Sequence, residues 1–219
     1  MKRANRRQKL VALSKMTIGI AVAVFAIGVL VAWQQLQTSQ TASSPQNVQT
    51  TTESQPSTEK LPEDKFTKHT AAPDEPRYLF IAKIGVKSTV HPLGITPDNY
   101  LEAPNNIHDT GWYHQSAKPG SSGAMVIDGH VGLDQTPGVF HQLGQLQAGD
   151  TMTIERGDGT LLNYQVVRSQ TYGADNVDMH AALNPVSGQP GLNLITCAGA
   201  YDQHTQTFDQ RLVVYAEQF

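Results

Sequence analysis

The strongest constraint on the fold is a texture. From Arg77 onward the chain is cut into short apolar or alternating runs separated by Gly, Pro, Asn and Asp. Residues 78–84, 123–127, 151–155, 161–167, 192–196 and 212–216 have the length, and the two-residue alternation or unbroken apolar character, of strands. Asp158-Gly159 falls between two of them, and this dipeptide tolerates the positive φ of a tight hairpin. Helical signal is thin. Within 139–146, Phe140, Leu143 and Leu146 recur at spacing three, and 177–183 suits a second short helix. Residues 77–219 are therefore expected to form one all-β domain, closed as a barrel or stacked as a sandwich.

The N-terminal third has a different character. Residues 16–33, MTIGIAVAVFAIGVLVAW, contain no charge. As a helix they span about 27 Å, close to the ~30 Å hydrocarbon core of a bilayer. Lys2, Arg3, Arg6, Arg7, Lys9 and Lys15 precede this run, and no acidic residue occurs before Glu53. That asymmetry predicts an N-in orientation, with Trp33 at an interface. The run is long for a cleaved signal peptide, and no A-x-A site follows it. The expectation is a basic cytoplasmic N-terminus over 1–15, a transmembrane signal-anchor helix over 16–33 and an exported remainder. Residues 34–76 are rich in Gln, Thr, Ser and Pro and lack any period, as expected for a disordered linker. Its end-to-end distance would be about 35–40 Å.

The net charge of -3 gives no reason to expect a nucleic-acid partner. The single cysteine excludes an internal disulfide framework and a Cys-rich zinc finger. Cys197 follows Asn193-Leu194-Ile195-Thr196, and by strand period it shares a face with Ile195. Ala198-Gly199-Ala200 after it leave the sulfur approachable. A lone cysteine on a strand is commonly a small buried hydrophobe, yet a free thiol in an exported protein risks oxidation and is an odd leftover. His130 sits in Val126-Ile127-Asp128-Gly129-His130-Val131-Gly132, where a strand runs into a glycine-flanked turn. Its imidazole suits general acid or base work. Arg211 opens the last expected strand. If that strand pairs with the Cys197 strand as a hairpin, its guanidinium reaches the same end of the sheet and can stabilise an oxyanion without losing its charge. Thr196 is a candidate donor to a substrate backbone, although a β-branched residue in a strand needs no such role.

The order His130, Cys197, Arg211, with Leu194-Ile195-Thr196-Cys197 at a strand end and Gly129-His130 upstream, resembles the sortases, membrane-anchored cysteine transpeptidases of Gram-positive-type cell surfaces. The resemblance covers residues 78–217 and includes Trp112-Tyr113, Pro119-Gly120, Val139-Phe140, Leu143 and Gly149-Asp150. The run Thr-Cys-Ala-Gly-Ala-Tyr-Asp looks most like the class F branch, with Ala198 where Gly commonly stands. The resemblance implies a closed eight-stranded β-barrel with one or two short helices over 77–219. It also implies a Cys197 nucleophile, a His130 acid/base and an Arg211 oxyanion or substrate stabiliser. The implied reaction cuts an LPxTG-like sorting signal at Thr-Gly through a thioester. An amine of a lipid-linked peptidoglycan precursor or a pilin lysine then accepts the acyl group.

Asp128 invites a reading as orienter of His130, which requires the strand to persist through Gly129. Asp128, His130 and Asp134 do not suffice for a metal site without a second fixed cluster, so neither metal nor cofactor is expected. Other cell-wall cysteine enzymes fit less well. L,D-transpeptidases place His-Gly before the nucleophile, and NlpC/P60 peptidases place the Cys before the His at a helix start. An anchored, non-catalytic β-domain with an inert Cys197 is the alternative from a different class.

Overall fold

The computed structural model describes residues 56–60, 62–133 and 135–219. The expectation of an N-terminal transmembrane helix is corrected. Among the described residues no helix is long and apolar enough to cross a membrane. The two α-helices, α1 (Glu63–Thr67) and α2 (Met179–Leu183), have five residues each, about 7.5 Å against the ~30 Å of a bilayer core. Residues 16–33 lie outside the described residues. The membrane partner, the single-pass topology and the extracytoplasmic placement expected from that span have no support from any described helix.

The expected closed eight-stranded barrel is present. Its strands are β1 (Pro76–Ile81), β2 (Val86–Leu93), β3 (Thr110–Tyr113), β4 (Ala124–Gly129), β7 (Thr151–Arg156), β8 (Leu161–Gly173), β9 (Gly191–Asp202) and β10 (Thr207–Gln218). They close in the order β1-β2-β3-β4-β9-β10-β8-β7. A small ribbon of β5 (Gly132–Leu133) and β6 (Thr136–Pro137) stands apart. Neighbours are antiparallel except β2 with β3 and β4 with β9.

The strands at the site are buried on both faces. Met125 and Ile127 of β4, Leu192 and Leu194 of β9, and Val214 and Ala216 of β10 fill the barrel interior. The alternate residues Val126, Ile195, Val213 and Tyr215 form a second cluster outside it, covered by Ala182 of α2. Two-sided burial is why these strands read as continuous apolar runs. The 156–160 turn matches the hairpin signal: the Gly159 amide donates to Arg156 O at 2.9 Å, and Gly159 takes φ +84.

Elsewhere the structure differs from the sequence expectation. The expected helix over 139–146 is instead a turn followed by a 3-10 segment, Leu143–Gln145. Spacing three is the period of a 3-10 helix, and it buries Phe140, Leu143 and Leu146 together. The end of the expected linker carries structure, because Phe66 of α1 stacks on Tyr78 at 4.5 Å and the Tyr78 hydroxyl donates to Phe66 O at 2.5 Å. Those contacts give this part of the segment an apolar partner that its own composition does not supply.

Candidate active site

Cys197 and Arg211 are directly opposite each other in the β9–β10 ladder. Both belong to the outer face of the barrel, since Ile195 and Val213 precede and follow them there by the two-residue period. Cys197 does not end its strand. β9 runs on to Asp202, and it forms a hairpin with β10, whose first residue is Thr207. What ends at Cys197 is burial: residues 191–196 are buried, Cys197 and Ala198 are half-buried, and the ribbon beyond is exposed. The thiol therefore sits where core packing gives way to solvent.

His130 follows the end of β4, which borders β9 on the side away from β10. β4 runs parallel to β9 as far as the pair Asp128 and Ile195, and His130 comes two residues after that pair, just past the end of the strand. The Thr196 hydroxyl, buried, donates to Gly129 O at 2.7 Å and ties the end of β4 to the nucleophile strand. Gly129 is required sterically, because a Cβ there would lie 2.6 Å from the Phe140 ring. His130 Nε2 lies 2.7 Å from Pro104 O. A carbonyl can only accept, so Nε2 carries the proton of the neutral ring and Nδ1 is left to exchange one. Thr196 faces inward and spends its hydrogen on Gly129, away from the face that holds Cys197 and Arg211.

Two electrostatic features define the site. Burial pushes the Cys197 thiol above its ordinary value, Arg211 opposes that shift and the Asp128 carboxylate adds to it. Asp128 is itself raised to about 7 by burial, opposed by Arg211 and by its hydrogen bond with the Gly129 amide. Asp128 therefore belongs to the same electrostatic unit as Cys197 and Arg211. Among the described residues it makes no hydrogen bond to His130, so the orienting role considered for it falls to Pro104. The Arg211 guanidinium donates through Nη1 to Phe208 O at 2.9 Å and to Gln210 O at 2.8 Å. Sequence reasoning could not find these anchors, since every residue carries a carbonyl. Among the described residues no group of three or more His, Cys, Asp or Glu could hold a metal ion.

A half-buried thiol opposite a guanidinium held by two carbonyls, with an imidazole just past the end of the neighbouring strand, is equipment that covalent acyl transfer can use. The family model for the sortase domain matches residues 79–219, and the chain belongs to the sortase family. Solved structures agree on the fold. Streptococcus pneumoniae sortase C, described for its catalysis and pilin substrate specificity, is 19% identical with a TM-score of 0.50, the match covering 74% of each chain. A lid mutant of Streptococcus agalactiae sortase C1 is 18% identical with a TM-score of 0.50, covering 68% of this chain and 71% of that one. A Clostridium perfringens sortase D5 transpeptidase is 20% identical with a TM-score of 0.49, covering 73% and 89%. No curated protein matches the chain. The expected class F assignment is corrected to the sortase family without a class, which is what the family model shows, and Ala198 already departs from the class F run. Membership of the family makes the general chemistry that of a cysteine transpeptidase acting on sorting signals.

Proposed function

We propose that the protein cuts an LPxTG-like sorting signal between Thr and Gly and transfers the acyl fragment to an amine. Cys197 Sγ gives its proton to His130 and attacks the Thr carbonyl carbon, and Arg211 stabilises the resulting oxyanion. Collapse breaks the C–N bond as His130 delivers a proton to the departing glycine amine, leaving a thioester on Cys197. An incoming amine, of a cell-wall precursor or a pilin lysine, then attacks the thioester and gives its extra proton to His130. His130 passes that proton to the departing Cys197 sulfur, which regenerates the thiol and the neutral imidazole. Dividing one amide exchange into two acyl transfers is the gain of covalent catalysis.

The observation that supports this reading is the register: Cys197 stands opposite Arg211, and His130 directly follows β4, the strand parallel to β9. Burial disfavours the thiolate, so the nearby guanidinium is the group that makes its formation feasible. Thr196 supports the arrangement from beneath by fixing Gly129. The amine step is tested by offering the full chain an LPxTG peptide with and without triglycine. Ligated peptide that increases with triglycine concentration is expected, and cleavage with only hydrolysed product at all concentrations would refute transfer.

A further inference from the structure

The β9–β10 ladder is irregular beside Arg211. Phe208 pairs with Tyr201 and Gln210 with Ala198, so two residues of β9, Gly199 and Ala200, stand opposite the single Asp209 of β10, and this bulge interrupts the register. The bulge is pinned at two points. The Asp209 carboxylate oxygen Oδ1 accepts from the Ala200 amide at 2.8 Å, and Asp209 O accepts from the Ala174 amide, beyond β8, at 2.9 Å. Gly199 makes the first contact possible. It takes φ +82, and a Cβ on it would lie 2.0 Å from Asp209 Oδ1. The two carbonyls that receive Arg211 Nη1 flank Asp209 on either side. Carbonyls two residues apart point to the same edge of a strand, so Phe208 O and Gln210 O can converge on one donor, and the bulge opposite Asp209 bends the ladder at that point.

We propose that Asp209 is a positioning residue for the acyl-transfer reaction, closing the bulge with Gly199 so that Phe208 O and Gln210 O hold the Arg211 guanidinium in place opposite Cys197. The inference rests on the reading of Arg211 as the stabiliser of the acylation step. Asp209 is exposed and two residues from Arg211, so it acts through the backbone it fixes and not by touching substrate. The acceptor oxygen matters and the negative charge does not. Asn in its place keeps the bulge, while Ala releases it. A Cβ at position 199 releases it from the other side.

The test is a mutant cycle on the full chain, read by single-turnover acylation with an LPxTG peptide and by the rate of Cys197 alkylation at pH 7, which needs no turnover. Loss of one hydrogen bond of this kind corresponds to about a fivefold change. Asp209→Ala and Gly199→Ala should each slow acylation about fivefold and slow alkylation, because an unanchored guanidinium stabilises the thiolate less. Asp209→Asn should stay within about twofold of wild type. In an Arg211→Ala background, Asp209→Ala should change neither rate. A further loss in that background, or an Asn variant as slow as the Ala variant, overturns the proposal. An Arg211→Ala variant that acylates as fast as wild type overturns the underlying reading of Arg211 itself, a result distinguishable from the other two.

Discussion

Asp128 is the group whose removal should have the clearest thermodynamic signature. Burial raises its carboxyl from 3.8 to about 7, with Arg211 and the Gly129 amide opposing. A native-state value above the unfolded one means that the folded protein holds this proton more tightly. Below about pH 4 both states are protonated and the carboxyl costs nothing. Between about pH 4 and 7 the unfolded chain ionises first, so stability falls as pH rises, and above about pH 7 the full cost is present. A separation of about 3 pH units at about 1.4 kcal/mol each sets a ceiling of about 4 kcal/mol. The side chain keeps partial contact with water, which brings the expected effect to about 2 kcal/mol. Urea unfolding of wild type and Asp128→Asn in parallel, from pH 4 to 8.5, measures it. The two should be equally stable near pH 4, and the variant should gain about 2 kcal/mol by pH 8 and no more beyond. A difference that does not vary with pH, or a variant less stable at pH 8, would refute burial as the dominant influence on this carboxyl.

The same electrostatics predict the thiol's reactivity: the pH profile of Cys197 alkylation by iodoacetamide should move to lower pH in Asp128→Asn and to higher pH in Arg211→Ala, and a shared direction would contradict the opposed influences of the two groups. Thr196→Val removes the buried bond to Gly129 O and should cost about 1–2 kcal/mol in thermal unfolding, with slower acylation that Thr196→Ser restores. Gly129→Ala forces a Cβ against Phe140 and should destabilise the fold by about 1–3 kcal/mol, measured by urea midpoint.

Legibility in the sequence follows burial. The strands β4, β9 and β10 could be read because both their faces are apolar and their runs are unbroken. β2 escaped because its buried residues include Ser88, 3.0 Å from Thr110 Oγ1, and Thr89, which donates to Asp109 at 2.5 Å. Pro92 lies in it as well. β3 is four residues long and contains Gly111, whose missing side chain leaves room for Leu93. At the site, residue types with reactive side chains could be picked out, and period two correctly grouped Cys197 with Ile195. The contacts that aim them could not. Pro104 O, Phe208 O and Gln210 O are backbone groups placed by a distant loop and by a bulge, and no side-chain pattern encodes either.

The central claim is that Cys197 carries the acyl group. Intact-mass measurement of the full chain, mixed with an LPxTG peptide and quenched in acid within seconds, tests it most directly. The expected result is a single adduct with the mass of the peptide's acyl fragment ending at Thr, localised to the fragment containing Cys197, lost on hydroxylamine treatment and absent in Cys197→Ala. Cleavage that persists in Cys197→Ala, or an adduct carried by another residue, would contradict the account.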